Sequence, residues 1–323
     1  MVSIAMAVYN GERFLRGQLD SILRQTYQDF EVVICDDCST DGSCAIIQEY
    51  ATKDPRIKLH KNEANLDYIK NFEKAVKLCQ GEYVAFCDQD DIWSENHIEV
   101  LMKAIGDKDL ACGRELRFEN DSDIAAGNLV DTWKAIDFVF PKDEKSALLY
   151  LFCSSSFFSG NAMLFKKSFF ENERLFPFPA AHDYWLGVCS IVAGNGFCQV
   201  ENVITYRRYH RDNVSCPGLR PSLLTKIRNT LLLEKDQART DRKVIFQEIE
   251  NRFSFKPTLR AVLEQCKVFL QGRVCSIFSI RKKLKGLVVY MRNFNQITSR
   301  EETKDFYRKA KRKAFFYFRY LFF

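Results

Sequence analysis

No stretch of this 323-residue chain approaches the roughly 20 continuous apolar residues of a membrane-spanning helix, so no segment is expected to cross a bilayer as a helix. The apolar run Val2 to Val8 has no basic region before it and no cleavage site after it, which argues against a secretory leader and places the body in the cytosol. All 12 cysteines are then expected to be free thiols, mostly in core positions such as Cys79 and Cys87. Cys35 and Cys38 form one C-x-x-C, but no second pair stands at zinc spacing and two aspartates fill the gap, against a structural zinc or redox site. The absence of a G-x-x-x-x-G-K-[ST] loop argues against a P-loop ATPase or GTPase. Glycine (14) and proline (7) are scarce beside 28 phenylalanines and 13 tyrosines. Charge of either sign barely predominates: 48 basic against 42 acidic residues leave +6, which points to no nucleic-acid partner. The length suits one large domain with an appendage, or two domains.

What is present centres on Gly81 to Trp93, G-E-Y-V-A-F-C-D-Q-D-D-I-W. Tyr83 to Cys87 reads as a buried strand that delivers Asp88, Asp90 and Asp91 at its carboxyl end. Three carboxylates there repel one another unless a cation sits between them, and hard oxygen ligands suit Mg²⁺ or Mn²⁺ held by Asp88 and Asp90. The plainer reading is an acidic turn in which Asp91 or Ser94 caps a helix starting near Glu95.

Strands are also expected at Val2 to Val8, Glu31 to Cys35 and Ile57 to His60. Helices follow Tyr9-Asn10-Gly11-Glu12, the D-D-C-S-T-D-G turn (through Tyr50) and Asn65 (Tyr68 to Leu78). Four alternations of strand and helix within about ninety residues predict an α/β fold with a parallel, doubly wound sheet, whose ligands bind outside the carboxyl ends of the strands. The Tyr9-Asn10, Asp36-Asp37 and Asp88-Asp90 turns all fall at such ends.

Together, V-S-I-A-M-A-V-Y-N-G, S-I-L-R-Q-T-Y-Q-D-F-E-V-V-I-C-D-D-C-S-T-D-G and the D-Q-D-D stretch resemble the nucleotide-binding half of a family 2 glycosyltransferase of the GT-A fold, over roughly residues 1 to 215. The resemblance implies a mixed, mostly parallel sheet flanked by helices and a donor site formed by Ala7, Tyr9, Asn10, Asp37, Asn65 and Gln89. Within it Asp37 accepts the pyrimidine N–H, and Asp88 and Asp90 hold the metal on the diphosphate. The family's Ala-Arg-Asn-x-Gly run is replaced here by N-L-D-Y-I-K-N-F, where Lys70 and Asn71 take the gripping role or Lys70 is simply a solvated helix residue. N-F-E-K with D-Q-D-D-I-W looks most like the bacterial rhamnosyltransferase branch, whose donor is a dTDP-sugar.

Past an irregular, polar middle segment (Asp107 to Leu151, with Trp133, Phe138 and Phe140) expected to loop over the crevice, Ser154 to Phe165 looks like the family's acceptor-side strand, with Gly160 and Asn161 near the reacting centre. In A-A-H-D-Y-W-L-G, Pro177 and Pro179 end the preceding segment, so His182 and Asp183 open a helix. By position Asp183 is an N-terminal cap; by resemblance it is the general base, with His182 and Trp185 on the acceptor side. Y-R-R-Y-H-R-D-N-V-S then crowds Arg207, Arg208, His210 and Arg211 into one loop. By resemblance this loop lies over the donor phosphates, with Arg207 and Arg211 binding the donor and His210 a further metal ligand.

Beyond Pro217-Gly218 the chain turns helical and basic. Phe306 to Phe323 mixes Lys and Arg with a block of aromatics, which suits an anionic membrane interface or docking on the body or a partner subunit. The organisation expected is a glycosyltransferase domain at 1–218 (nucleotide-sugar half 1–106, acceptor half 107–218) and a helical, membrane-associating region at 219–323. The expected activity is inverting, metal-dependent transfer of rhamnose from dTDP-rhamnose to a lipid-linked glycan of a bacterial surface polysaccharide, on the inner face of the cell membrane, with a homodimer as one possible assembly. The alternatives are a UDP-galactose or UDP-glucose transferase and a non-catalytic nucleotide-sugar-binding scaffold. Nucleotidyl transfer would need a Gly-rich, Arg-containing loop after the first strand, which Tyr9 to Arg13 lacks.

Overall fold

The strands that carry the fold are apolar on both faces. In a computed structural model, which describes residues 1–131, 141, 143–153, 156–171, 181–210, 213, 234–253 and 255–271, β1 (Val2–Val8), β2 (Phe30–Asp36) and β4 (Tyr83–Asp88) are buried almost throughout. Burial on both faces requires helices on both sides of the sheet. They are supplied by α1 (Glu12–Leu23), α2 (Ser43–Lys53) and α3 (Asp67–Leu78), the last two flanking β3 (Ile57–Lys61). On α1 the residues Leu15, Leu19 and Ile22 form one buried stripe at helical spacing.

The eight-stranded sheet has the order β3-β2-β1-β4-β7-β6-β8-β5, with β5 at Ile92–Trp93, β6 at Leu110–Phe118, β7 at Met163–Lys166 and β8 at Phe197–Arg208. The first four strands in that order run parallel. Then β7 enters antiparallel between β4 and β6, while β8 pairs parallel with β6 and antiparallel with β5. Register levels the carboxyl ends: Val8 faces Asp36 and Ala7 faces Asp88. Because β7 is reversed, its first residues point toward the same edge, where Met163 pairs with Cys112, the third residue of β6.

One expectation is corrected here. Among its described residues the middle segment is not a loop-rich excursion: it holds the nine-residue β6, then α4's successor α5 (Asp121–Ala126) and α6 (Glu144–Cys153), where α4 is His97–Ile105. The strand is disguised by Arg114, Glu115 and Arg117, whose charges are met across the sheet and its rim by Asp131, Arg207 and one another. Trp133, Phe138 and Phe140 lie outside the described residues.

After α7 (Lys167–Glu171), α8 (His182–Val192) is apolar all round and buried. Gly187 lets it approach the body: a Cβ there would lie 2.1 Å from the Phe158 ring. Gly187→Ala is therefore expected to cost about 1–3 kcal/mol through overpacking, measured as a lower urea midpoint at unchanged slope.

Met1–Leu219 with Val244–Cys266 forms one compact unit; Arg220–Lys243 and Lys267–Phe323 form the other, of which 234–243 and 267–271 are described. Within the first unit, residues from α9 (Glu234–Arg252) and from the stretch before α10 (Arg260–Gln271) pack on the acceptor half. Phe246 meets Phe152 at 5.3 Å, Phe253 meets Trp185 at 6.1 Å, and Lys256 pairs with Glu144 at 2.9 Å. Among the described residues no helix is long and apolar enough to cross a membrane.

Candidate active site

The levelled strand ends assemble a crevice edge from three turns. At the end of β1, Tyr9 donates its backbone N–H to Gln89 Oε1 (2.9 Å) and accepts from Gln89 Nε2 at its carbonyl (3.0 Å), so Gln89 clips β1 to the turn after β4. Asn10 sits at φ 50°, a left-handed position that asparagine tolerates. Its N–H donates to Ser39 Oγ (2.9 Å) and its Oδ1 accepts from Thr40 N (2.8 Å). Ala7 is the one half-buried residue of β1 and lies across from Asp88.

At the end of β2, Asp37 is nearly buried, and its Oδ1 accepts from Leu66 N (2.8 Å) and Asn62 Nδ2 (2.7 Å). Its Oδ2 has no hydrogen-bond partner among the described residues. Asn65 Nδ2 donates to the Asp37 carbonyl (3.2 Å), and Asn71 Nδ2 donates to the Cys35 carbonyl (2.8 Å). Asn71 thus braces this turn from within, fully buried. Lys70 is half-exposed and binds Glu73 at 2.7 Å along its own helix, the geometry of a solvated helix residue. Cys35 is buried in the sheet, which pushes its thiol up to about 11, and Cys38 lies in the turn at φ 66°.

The third turn carries the acids. Burial first, then the charge of Asp90, pushes the Asp88 carboxyl up to about 7; Arg207 opposes this, and Asp183 and Glu115 add to it. Asp90 Oδ2 lies 2.7 Å from His210 Nε2 and accepts from Asn213 Nδ2 at 3.3 Å. Asp91 does not cap a helix. It is buried and accepts from the backbone N–H of Arg208 (2.8 Å) and from Asn161 Nδ2. Ser94 Oγ instead donates to the Ile204 carbonyl (3.1 Å), and α4 starts with no side-chain cap. Among the described residues no ready-made cage of three His, Cys, Asp or Glu ligands is present.

Asp183 opens α8, where its Oδ1 accepts from Tyr184 N at 2.6 Å. Its Oδ2 has no protein hydrogen bond among the described residues. His182 is buried in an aromatic box, with ring centroids 4.5 Å from both Phe72 and Phe86. Gly160 backs onto His182: a Cβ there would lie 2.6 Å from His182 Nε2. Trp185 is fully buried against Phe253, which makes it a packing residue of α8 rather than a wall of the crevice, and Asn161 is likewise buried, committed to Asp91. Arg207 Nη1 lies 3.4 Å from Glu115 Oε1. Arg211 lies outside the described residues.

Two residues of this site escape sequence reasoning. Glu115 is buried, accepts from Ser159 Oγ (2.7 Å) and faces Arg207 and Arg117. The register shifts on either side of Arg114 put the extra residues in β8, and Glu115 keeps the phase of the buried Ala111 and Gly113; a charged residue in a strand reads as solvent-facing until β8 is placed beside it. Asp91 reads as a cap until β8 is placed beside it.

The raised Asp88 has a consequence for stability. Between about pH 4 and pH 7 the folded chain holds a proton on Asp88 that the unfolded chain has released, so this group makes stability fall as pH rises through that window. In a chelator, the melting temperature of Asp88→Asn is expected to lose that component of the pH dependence and to exceed that of wild type most clearly near pH 8.

The family profile described as "Glycosyl transferase family 2" matches residues 3–173, more than half of the chain. The chain belongs to glycosyl transferase family 2. It is 30% identical over 224 residues to the glycosyltransferase GlyG of Streptococcus pneumoniae serotype 4, covering 64% of this chain and 71% of GlyG. Over 100 residues it is 38% identical to WfgD of Escherichia coli, a UDP-Glc:α-D-GlcNAc-diphosphoundecaprenol β-1,3-glucosyltransferase, covering 31% of this chain and 39% of WfgD. Other curated relatives are likewise spanned only in part, by 38% and 44%. Among solved structures, residues 1–349 of TarS from S. aureus, crystallised with UDP-GlcNAc, share the fold with a TM-score of 0.58 at 17% identity, over 90% of this chain and 80% of that one. The mixed sheet flanked by helices in this family 2 member is thus of the GT-A kind.

Proposed function

We propose that the chain is an inverting hexosyltransferase that moves a sugar from a UDP-hexose to a hydroxyl of a lipid-linked saccharide during polysaccharide synthesis. The observation that carries this reading is the single crevice edge holding Asp37, Asp88, Asp90 with His210, and Asp183, with the Asp183 charge felt at Asp88. Asp37 Oδ2 accepts the pyrimidine N–H, and Tyr9, Asn10, Asn65 and Gln89 shape the nucleoside end. Arg207 faces the diphosphate. Asp183 takes the proton of the acceptor hydroxyl while that oxygen attacks the anomeric carbon opposite the departing diphosphate.

Asp88, Asp90 and His210 would hold Mg²⁺ or Mn²⁺. The donor set fits: after burial, it is the charge of Asp90 that most raises the proton affinity of Asp88 and of Asp91, a repulsion that a divalent ion relieves, and His210 Nε2 already stands beside Asp90. When bound, such an ion stabilises the diphosphate leaving group. The UDP-glucose and diphosphoundecaprenol in the name of WfgD, and the UDP-GlcNAc bound by TarS, favour a uridine donor and a lipid-linked acceptor. A lipid-linked acceptor also fits a peripheral seat on the inner membrane face through Phe306 to Phe323, which lies outside the described residues.

Transfer of rhamnose from dTDP-rhamnose is the second reading, favoured by the N-F-E-K and D-Q-D-D-I-W variants. The test is nucleoside diphosphate release from UDP-glucose, UDP-galactose, UDP-N-acetylglucosamine and dTDP-rhamnose, with Mn²⁺ and with a chelator. Release from a UDP-sugar that stops in chelator is expected. Release from dTDP-rhamnose alone selects the second reading, and a chain that neither hydrolyses nor is stabilised by any of the four defeats both.

A further inference from the structure

Of the large apolar side chains exposed among the described residues, two are aromatic, Tyr9 (51%) and Tyr68 (37%), and both stand at the crevice edge. Tyr9 follows β1 on the nucleoside side, beside Gln89. Tyr68 stands elsewhere: its ring centroid is 6.5 Å from that of His182, the residue before the base. We propose that Tyr68 is a binding residue for the acceptor sugar, its exposed ring stacking on a C–H face of the saccharide whose hydroxyl meets Asp183. This rests on the transferase reading of the site and adds the residue that orients the acceptor there.

The backbone around Tyr68 is built to hold the ring in place. Leu66 N–H is tied to Asp37 Oδ1 (2.8 Å), and Asp67 N–H to Asn65 Oδ1 (3.0 Å). Asp67 sits at φ 67°, and its Oδ1 accepts from Tyr68 N. A non-glycine residue in that conformation costs free energy that the surrounding bonds must offset. One turn therefore joins the nucleoside-binding carboxylate to the neighbourhood of the base, and Tyr68 leaves it at a fixed angle. The phenol oxygen has no hydrogen-bond partner among the described residues. Burial first, then the charges of Asp67 and Asp183, holds the phenol above its ordinary pKa, so it stays protonated and can donate to a sugar oxygen. A ring with one apolar face and one polar tip is what a sugar requires, with its C–H patch and rim of hydroxyls. This is also the segment where N-L-D-Y-I-K-N-F departs from the family pattern, so its choice of acceptor would be specific to chains that carry this variant.

The test compares wild type, Tyr68→Phe and Tyr68→Ala, with methyl β-glycosides of glucose, galactose and N-acetylglucosamine as acceptor probes. Tyr68→Ala is expected to raise the acceptor KM about tenfold, the equivalent of one lost stacking contact. UDP affinity and donor hydrolysis by water should change less than about twofold, because both are independent of an acceptor sugar. Tyr68→Phe keeps the ring and should stay within about threefold of wild type. An unchanged acceptor KM in Tyr68→Ala, or an equal loss of UDP affinity, overturns the assignment while leaving the transferase reading intact. Should wild type turn over no donor, that reading fails separately. Saturation-transfer NMR of the three glycosides then decides the platform: binding lost in Tyr68→Ala supports it, and binding retained, or none by wild type, overturns it.

Discussion

Asp183→Asn is expected to lower the rate of sugar transfer by about 10²–10⁴-fold while UDP-sugar affinity stays within about twofold of wild type. The amide keeps the shape of the carboxylate and its bond to Tyr184 N, which is made by one oxygen only. What it removes is a proton acceptor at the oxygen that makes no protein hydrogen bond among the described residues. A base that acts only in the transition state should cost turnover and leave the ground state alone, so the loss must appear in kcat with donor binding preserved. Calorimetric titration with UDP, alongside acceptor-dependent release of nucleoside diphosphate, separates the two quantities. A variant that keeps more than a tenth of wild-type transfer would make Asp183 a cap of α8 and nothing more. A chain with tight UDP binding and no transfer in either form would be a scaffold.

The second large effect is on the fold of the site. Asp91→Ala is expected to cost about 3 kcal/mol or more, because it strands two buried donors, the Arg208 amide and the Asn161 side-chain amide. Asn161 also anchors β8, since Thr205 Oγ1 donates to its carbonyl (2.8 Å). Losing Asp91 therefore loosens the strand that brings His210 to Asp90. For a unit of this size that amounts to a melting temperature lower by about 5–10 °C. Asp91→Asn restores one acceptor but sets an N–H₂ against a donor, so it should fall between wild type and alanine. An Asp91→Ala chain as stable as wild type in urea would mean that the Arg208 amide finds another partner.

How much of this was legible varied with the range of the interaction. The D-Q-D-D turn was readable because its strand is apolar without a break and its acids are adjacent in the chain. Asp37 and the Tyr9-Asn10 turn were readable for the same reason. Lys70 illustrates the limit: a lysine three residues before Glu73 can satisfy itself along the helix or reach a ligand, and in the folded chain it pairs with Glu73 at 2.7 Å. Glu115 was illegible because a charged residue in a strand reads as solvent-facing, and only the assembled sheet buries it beside Arg207 and Ser159.

By itself, the sequence determined which segments form the core. Val2–Val8, Phe30–Asp36 and Tyr83–Asp88 are apolar on both faces, and such strands can be satisfied only between layers of helices. The resemblance of its turns to one family was likewise readable from residues alone. Only the tertiary structure decided that Asp91 and Glu115 are buried beside the acidic turn and that Trp185 and Asn161 are buried in packing, against Phe253 and Asp91. The reason is that backbone donors and acceptors are the same at every residue, so strand pairing is chosen by how side chains pack across the assembled sheet. The insertion of a reversed β7 between β4 and β6 is such a choice, and it brings Asn161 to Asp91 and Gly160 to His182.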